Sequence, residues 1–176
     1  MLQHSNLLIK LEGITDLQIG VTNVGEVPID KIQMKIEGSI QNKPEAKFIK
    51  KSKSKTILSP KDTFNIPLFE ELEQFLIDQK MLRIHYEEMP TGEHDLFTGE
   101  QILLKEKFKH ILKPFSMKFC LNTTYTVHDA TKKIPKEFVV SYDYIPAYGD
   151  PTITGDPECR YSDNYEIRIQ ETQWSS

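Results

Sequence analysis

The chain has 176 residues, with 26 acidic and 22 basic side chains for a formal charge of −4, and a hydrophobic share of 38%. That length suits one domain able to bury about two thirds of its unfolded surface, and the mild negative charge gives no general attraction to nucleic acid or to an anionic membrane. No stretch nears the ~18 apolar residues of a membrane span, and residues 1–6 lack the basic start and apolar core of a secretion signal, so a soluble, cytoplasmic protein is expected.

Residues 7–12 (LLIKLE) end at Gly13, and Leu17, Ile19 and Val21 alternate with polar neighbours up to Gly25, which predicts two half-buried strands. Ile32, Met34 and Ile36 repeat at period two, and Gly38 is expected to stop this third strand. Residues 55–68 read as strand, turn, strand, with the turn on Ser59-Pro60-Lys61-Asp62 and Phe64, Ile66 and Leu68 alternating after it. Over residues 69–80 the period changes. Phe69, Leu72, Phe75 and Leu76 line one side of a short helix whose first turn carries Glu70 and Glu71. Leu82, Ile84 and Tyr86 restore the alternation, a polar hairpin region follows to Gly99, and residues 101–108 form another strand. Short strands separated by turn signals make the pattern of an antiparallel sandwich.

The stretches VTNVGEVPIDKIQMKIEG (residues 21–38) and LSPKDTFNIPL (residues 58–68) resemble the Asn-x-Gly, strand, Leu-x-Pro-Gly, strand rhythm of immunoglobulin-like and fibronectin-type modules, especially the bacterial adhesion-related kind. The resemblance spans residues 7–110, with Lys61 where that family favours glycine and with a helix interrupting the strand order. It implies an all-β fold, an immunoglobulin-like antiparallel β-sandwich over residues 1–112. It also implies a role in binding or spacing, with no catalytic residues to carry over.

After Pro114, further strands are expected at 115–121 continued by 125–128, at 138–144 and at 164–170. They form a C-terminal β extension (residues 113–176) docked on the sandwich, because so short a tail with one small core is marginal alone. The connection between the last two, DYIPAYGDPTITGDPEC (residues 143–159), exceeds an ordinary hairpin loop.

Tyr144, Tyr148, Asp150 and Tyr161 are the candidate partner-binding residues, since tyrosine offers wide contact area with a polar tip. The competing reading for the tyrosines of this region is a cross-strand ladder. Asp143, Asp150, Asp156, Glu158 and Asp163 are oxygen ligands of the kind calcium takes. Their spacing matches no calcium loop and Asp-Pro and Gly-Asp pairs are ordinary turn chemistry, so neither metal nor cofactor is expected. Lys47, Lys50, Lys51, Lys53 and Lys55 form a basic patch. It reads as the lysine guard of an exposed sheet edge or as a contact for an anionic lipid surface.

Cys120 and Cys159 are expected as unpaired thiols. The five histidines show no metal-ligand spacing, and neither a phosphate loop nor a nucleophile elbow occurs. Cys120 and His128 could act as nucleophile and base only across a turn, for within one strand they stand ~26 Å apart. Glu87, Glu88, Glu93, His94 and Asp95 read as a solvated acidic loop. The expected function is therefore non-catalytic: a protein-interaction or structural module of a larger assembly, its partner an unidentified protein. A ligand- or calcium-dependent lipid-binding sandwich and a hydrolase with a tertiary site are the competing classes.

Overall fold

Period-two alternation of apolar residues runs through most of the chain, and strands form where it runs. The computed structural model describes residues 6–13, 16–52, 54–146 and 161–172. Among them lie β1 (Leu7–Glu12), β2 (Gln18–Asn23), β3 (Ile29–Ile40), β4 (Lys43–Lys51), β5 (Lys55–Leu58), β6 (Thr63–Pro67), α1 (Phe69–Asp78), β7 (Leu82–His94), β8 (Gln101–Ile111), β9 (Phe115–Val127), β10 (Ala130–Pro146) and β11 (Tyr161–Glu171). The fold is all-β with one short helix, as the alternation predicts.

Every strand pair is antiparallel. A three-stranded sheet has the order β1-β2-β6, and a six-stranded sheet runs β11-β10-β9-β3-β4, with β5 beside β4 on the same edge of β3. Among the described residues, strands β7 and β8 pair only with each other. Ile9, Ile19 and Val21 of the small sheet, Ile36, Phe119, Leu121 and Val140 of the large one, and Leu72 and Leu76 of the helix belong to one buried core.

Two features of β3 depart from simple alternation. Ile29 and Ile32 are both buried although three residues apart, and the register against β9 shifts between Asp30 and Gln33. Lys31 takes a positive φ of 52°. This bulge adds the residue that restores both isoleucines to the inner face. Gly38 does not stop the strand as predicted: β3 runs on to Ile40. A Cβ on Gly38 would meet the Phe119 ring at 2.8 Å, so the glycine leaves room for an aromatic ring laid over the backbone.

Residues 113–172 supply β9, β10 and β11, and β9 lies between β3 and β10 in the large sheet. β10 starts at Ala130, earlier than the sequence suggests, because His128 and Asp129 both adopt positive φ (49° and 63°). That is the type I′ geometry that matches strand twist in a two-residue hairpin.

Helix α1 ends in a Schellman arrangement with Lys80 at the left-handed position (φ 59°). Met81 N–H donates to the Leu76 carbonyl at 2.8 Å and Lys80 N–H to that of Ile77 at 3.0 Å. This reversal aims the chain into β7. The Asn-x-Gly motif has a local role as well: buried Asn23 donates to the carbonyls of Val27 (2.8 Å) and Leu58 (3.0 Å) and accepts from Gly25 N–H (2.9 Å).

Candidate functional site

Strands β7 and β8 build an arm. Their pairing begins at Leu82↔Ile111, two buried residues, and reaches His94↔Gln101 after a bulge past Pro90. Every residue from Tyr86 through Lys107 is exposed, so about 25–30 Å of ribbon stands clear of the core at the usual rise per residue. Paired residues share a face, which puts Tyr86, Pro90 and Leu103 on one side and Met89 and Leu104 on the other. The ribbon is therefore partly apolar on both faces, and among the described residues nothing buries the side chains of its outer part. Within it, the Lys105 ammonium lies 4.8 Å from the Tyr86 ring centre, and the Thr91 hydroxyl donates to the Ile102 carbonyl at 2.9 Å.

The tip is an ordered turn. Asp95 N–H donates to the Glu100 carbonyl (2.8 Å) and Gly99 N–H to the Asp95 carbonyl (2.9 Å), with Gly99 at φ 71°. The Asp95 carboxylate accepts from Phe97 N–H (2.7 Å) and Thr98 N–H (3.0 Å), and these two bonds hold its pKa below the usual value. Between them the turn presents Leu96, 99% exposed, and Phe97, 98% exposed.

The base of the arm is tied down electrostatically. Buried Glu73 of α1 pairs with Lys107 (3.0 Å) and with Lys109, which also reaches Asp16 (2.9 Å). Burial alone would pull the Lys109 ammonium down, but the hydrogen bonds to Glu73 and Asp16 outweigh it and its pKa is raised. On the opposite face of the ribbon His85 stacks between Phe108 and His110, at centroid distances of 5.2 and 4.6 Å. His85 Nε2 lies 3.1 Å from a Glu87 carboxylate oxygen, and His110 Nε2 lies 2.8 Å from His85 Nδ1.

Of the predicted partner-binding residues, Tyr144 lies on β10 beside the arm's exit, its hydroxyl donating to the Leu112 carbonyl at 3.0 Å. Tyr148 and Asp150 lie outside the described residues, as does Cys159. Tyr161 opens β11 opposite Pro146. Of the tyrosines in this region, Tyr142 and Tyr165 meet on the inner face: Tyr142 stacks on Phe115 (4.4 Å) and tilts against Tyr165 (5.7 Å). Burial pushes the Tyr165 phenol up to about 12 and that of Tyr142 well above its ordinary range.

The basic patch lies on the β4–β5 edge of the large sheet. Lys47 and Lys51 are exposed, while Lys50 turns inward, donating to the Pro67 carbonyl (2.8 Å) and pairing with Glu71 (3.1 Å). Lys53 lies outside the described residues, and Lys55 begins β5 opposite Ile32. Where this edge faces the β6 edge of the small sheet there is a cleft of about 470 Å³, floored by Phe64, Ile66 and Pro67 and rimmed by Lys50, Lys51, Ser54 and Glu71.

Cys120 sits half-buried in mid-β9, and His128 is in the turn after that strand, so the two are spread along one strand. Burial pushes the Cys120 thiol up, away from the thiolate a nucleophile needs. Among the described residues no three His, Cys, Asp or Glu side chains gather as a metal site, and no helix is long and apolar enough to cross a membrane.

Sequence reasoning missed the arm as a candidate. Its signal was present in Ile102-Leu103-Leu104, which cannot all face one side of a strand, and in Leu96-Phe97 inside a polar turn. No family model matches the chain, and no curated protein or solved structure matches it either.

Proposed function

We propose that this protein is a non-catalytic interaction module of a larger assembly and that the β7–β8 arm is the element that engages its partner. The observation that carries the reading is the pair Leu96 and Phe97, almost wholly in water on a turn fixed by Asp95. Burying each such side chain contributes roughly 1.5–3 kcal/mol, and an aromatic anchor on a pre-ordered turn loses little entropy on docking. A protein partner suits this tip better than an anionic bilayer, because Glu93, Asp95 and Glu100 flank the apolar pair. The antiparallel sheets sharing one core, together with the Asn23 and Pro60-Lys61 turns, support an immunoglobulin-like sandwich of the adhesion-related kind as the scaffold that carries the arm.

The test is to replace residues 88–105 by a two-residue Asn-Gly turn and compare the shortened chain with the parent. The melting temperature should stay within a few degrees, because the removed residues are all exposed. In the cells that make the protein, the shortened chain should drop out of the native complexes that retain the parent. Undiminished retention of those partners would refute the assignment to the arm.

A further inference from the structure

We infer, resting on the reading of the arm as the binding element, that its partner is a second copy of this chain, with the arm tip of one copy seated in the β4–β6 cleft of the next. Charge supplies the first reason. Between residues 87 and 105 there are five acids, Glu87, Glu88, Glu93, Asp95 and Glu100, against Lys105 alone. That stretch equals the entire formal charge of −4 of the chain, so the body it projects from is neutral as a whole and basic where the lysines of β4 cluster. Two arms laid against each other would bring like charges together. An arm laid against the β4 edge brings acids to the exposed Lys47 and Lys51.

Shape and polarity supply the second reason. The cleft has an apolar floor of Phe64, Ile66 and Pro67 beneath a rim on which Lys50 is paired with Glu71 and the exposed Lys51 adds a second lysine, a surface that suits a tip carrying Phe97 and Leu96 between carboxylates. Its size of about 470 Å³ falls among sites that enclose a compact apolar group. Both walls are sheet edges, since β4 and β6 each end a sheet's strand order, and such edges carry backbone groups able to pair with an incoming ribbon. The arm and the cleft are built from different strands, so the contact is heterologous and propagates until a ring closes or a filament grows.

Two full-length variants, each altered only at exposed positions, test this in sedimentation velocity runs on purified protein. Phe97→Asp spoils the tip and leaves the cleft. Lys51→Glu with Ser54→Glu spoils the rim and leaves the tip. The parent should associate beyond dimer as concentration rises and dissociate as salt is added. Each variant alone should be monomeric, and an equal mixture should form a heterodimer and nothing larger, because one sound tip then meets one sound cleft. A parent that stays monomeric up to its solubility limit overturns the inference. So does a parent dimer that the tip variant abolishes and the rim variant leaves intact, which would mean arm against arm, or a monomer that binds phosphatidylserine vesicles through Phe97. If the parent is monomeric while the arm-shortened chain still loses its native complexes, the second-copy inference fails and the reading of the arm stands. If the shortened chain keeps those complexes, both fall.

Discussion

Two long hairpins of this chain have opposite fates. β9–β10 is built from strands of 13 and 17 residues, β7–β8 from strands of 13 and 11. In β9 the residues Phe115, Met117, Phe119, Leu121, Thr123, Tyr125 and Val127 keep strict alternation and are all buried. In the outer arm Met89, Ile102, Leu103 and Leu104 are just as apolar but do not keep to one face, and all are exposed. Hydrophobicity alone thus does not decide burial within a molecule. A ribbon docks on a core when its apolar side chains share a face, and one that spends them on both faces is left for another surface to cover.

The largest expected effect lies in the buried hairpin. Phe119→Ala opens a cavity beneath Gly38 and beside Phe48 and should lower unfolding free energy by about 3–5 kcal/mol in denaturant titrations. An arm aromatic that proved equally costly would erase the contrast. Next comes alkaline sensitivity of the Tyr142 and Tyr165 pair. Folded Tyr165 ionises near 12, whereas the unfolded phenol ionises near 10. The unfolded state releases its proton first, so stability present below pH 10 is lost as pH rises toward 12, by roughly 2–3 kcal/mol. Lys109, also raised, acts in the same direction. Tyr165→Phe should shallow that slope, with Tyr142 accounting for part of what is left; equal slopes in parent and variant would show that the pair does not titrate with unfolding.

A smaller effect is expected where the two regions join. Glu73→Gln removes the carboxylate shared by Lys107 and Lys109 and should cost about 1–2 kcal/mol. Hydrogen exchange should quicken at the base of β8 and stay unchanged in β9. Exchange unaltered at Lys107 and Lys109 would mean that the arm is held by the burial of its own Leu82 and Ile111 alone. Smallest of all, Phe97→Asp should shift unfolding free energy by no more than about 0.5 kcal/mol, and a larger loss would show that the tip serves the fold of its own chain.

Most of the architecture was legible because alternation is a local signal. The helix was readable from Phe69, Leu72, Phe75 and Leu76, and its ten residues fall within the predicted stretch. Three features were hidden for different reasons. The start of β10 lay behind His128-Asp129, which adopts a hairpin turn without the glycine that usually marks one. The run of β3 past Gly38 depended on a ring contributed by a strand far along the chain. The arm was obscured because Glu87, Glu88, Glu93 and Asp95 made its surroundings read as a solvated loop; whether Leu96 and Phe97 are covered depends on three-dimensional neighbours, which periodicity does not contain.

The place of β9 in the large sheet also sets a schedule. Ile36 pairs with Leu121 and Gly38 with Phe119, so β3 obtains its second neighbour only after α1 and the whole arm lie between the two partners. During synthesis the first half of the chain can close the β3–β4 hairpin and the β1-β2-β6 sheet, yet the second edge of β3 waits for residues 115–127 to emerge. Pairings of such long sequence separation are slow to form, and a half-built sheet is open to the wrong strand meanwhile. On this chain the exposed lysines of β4 stand beside that waiting strand.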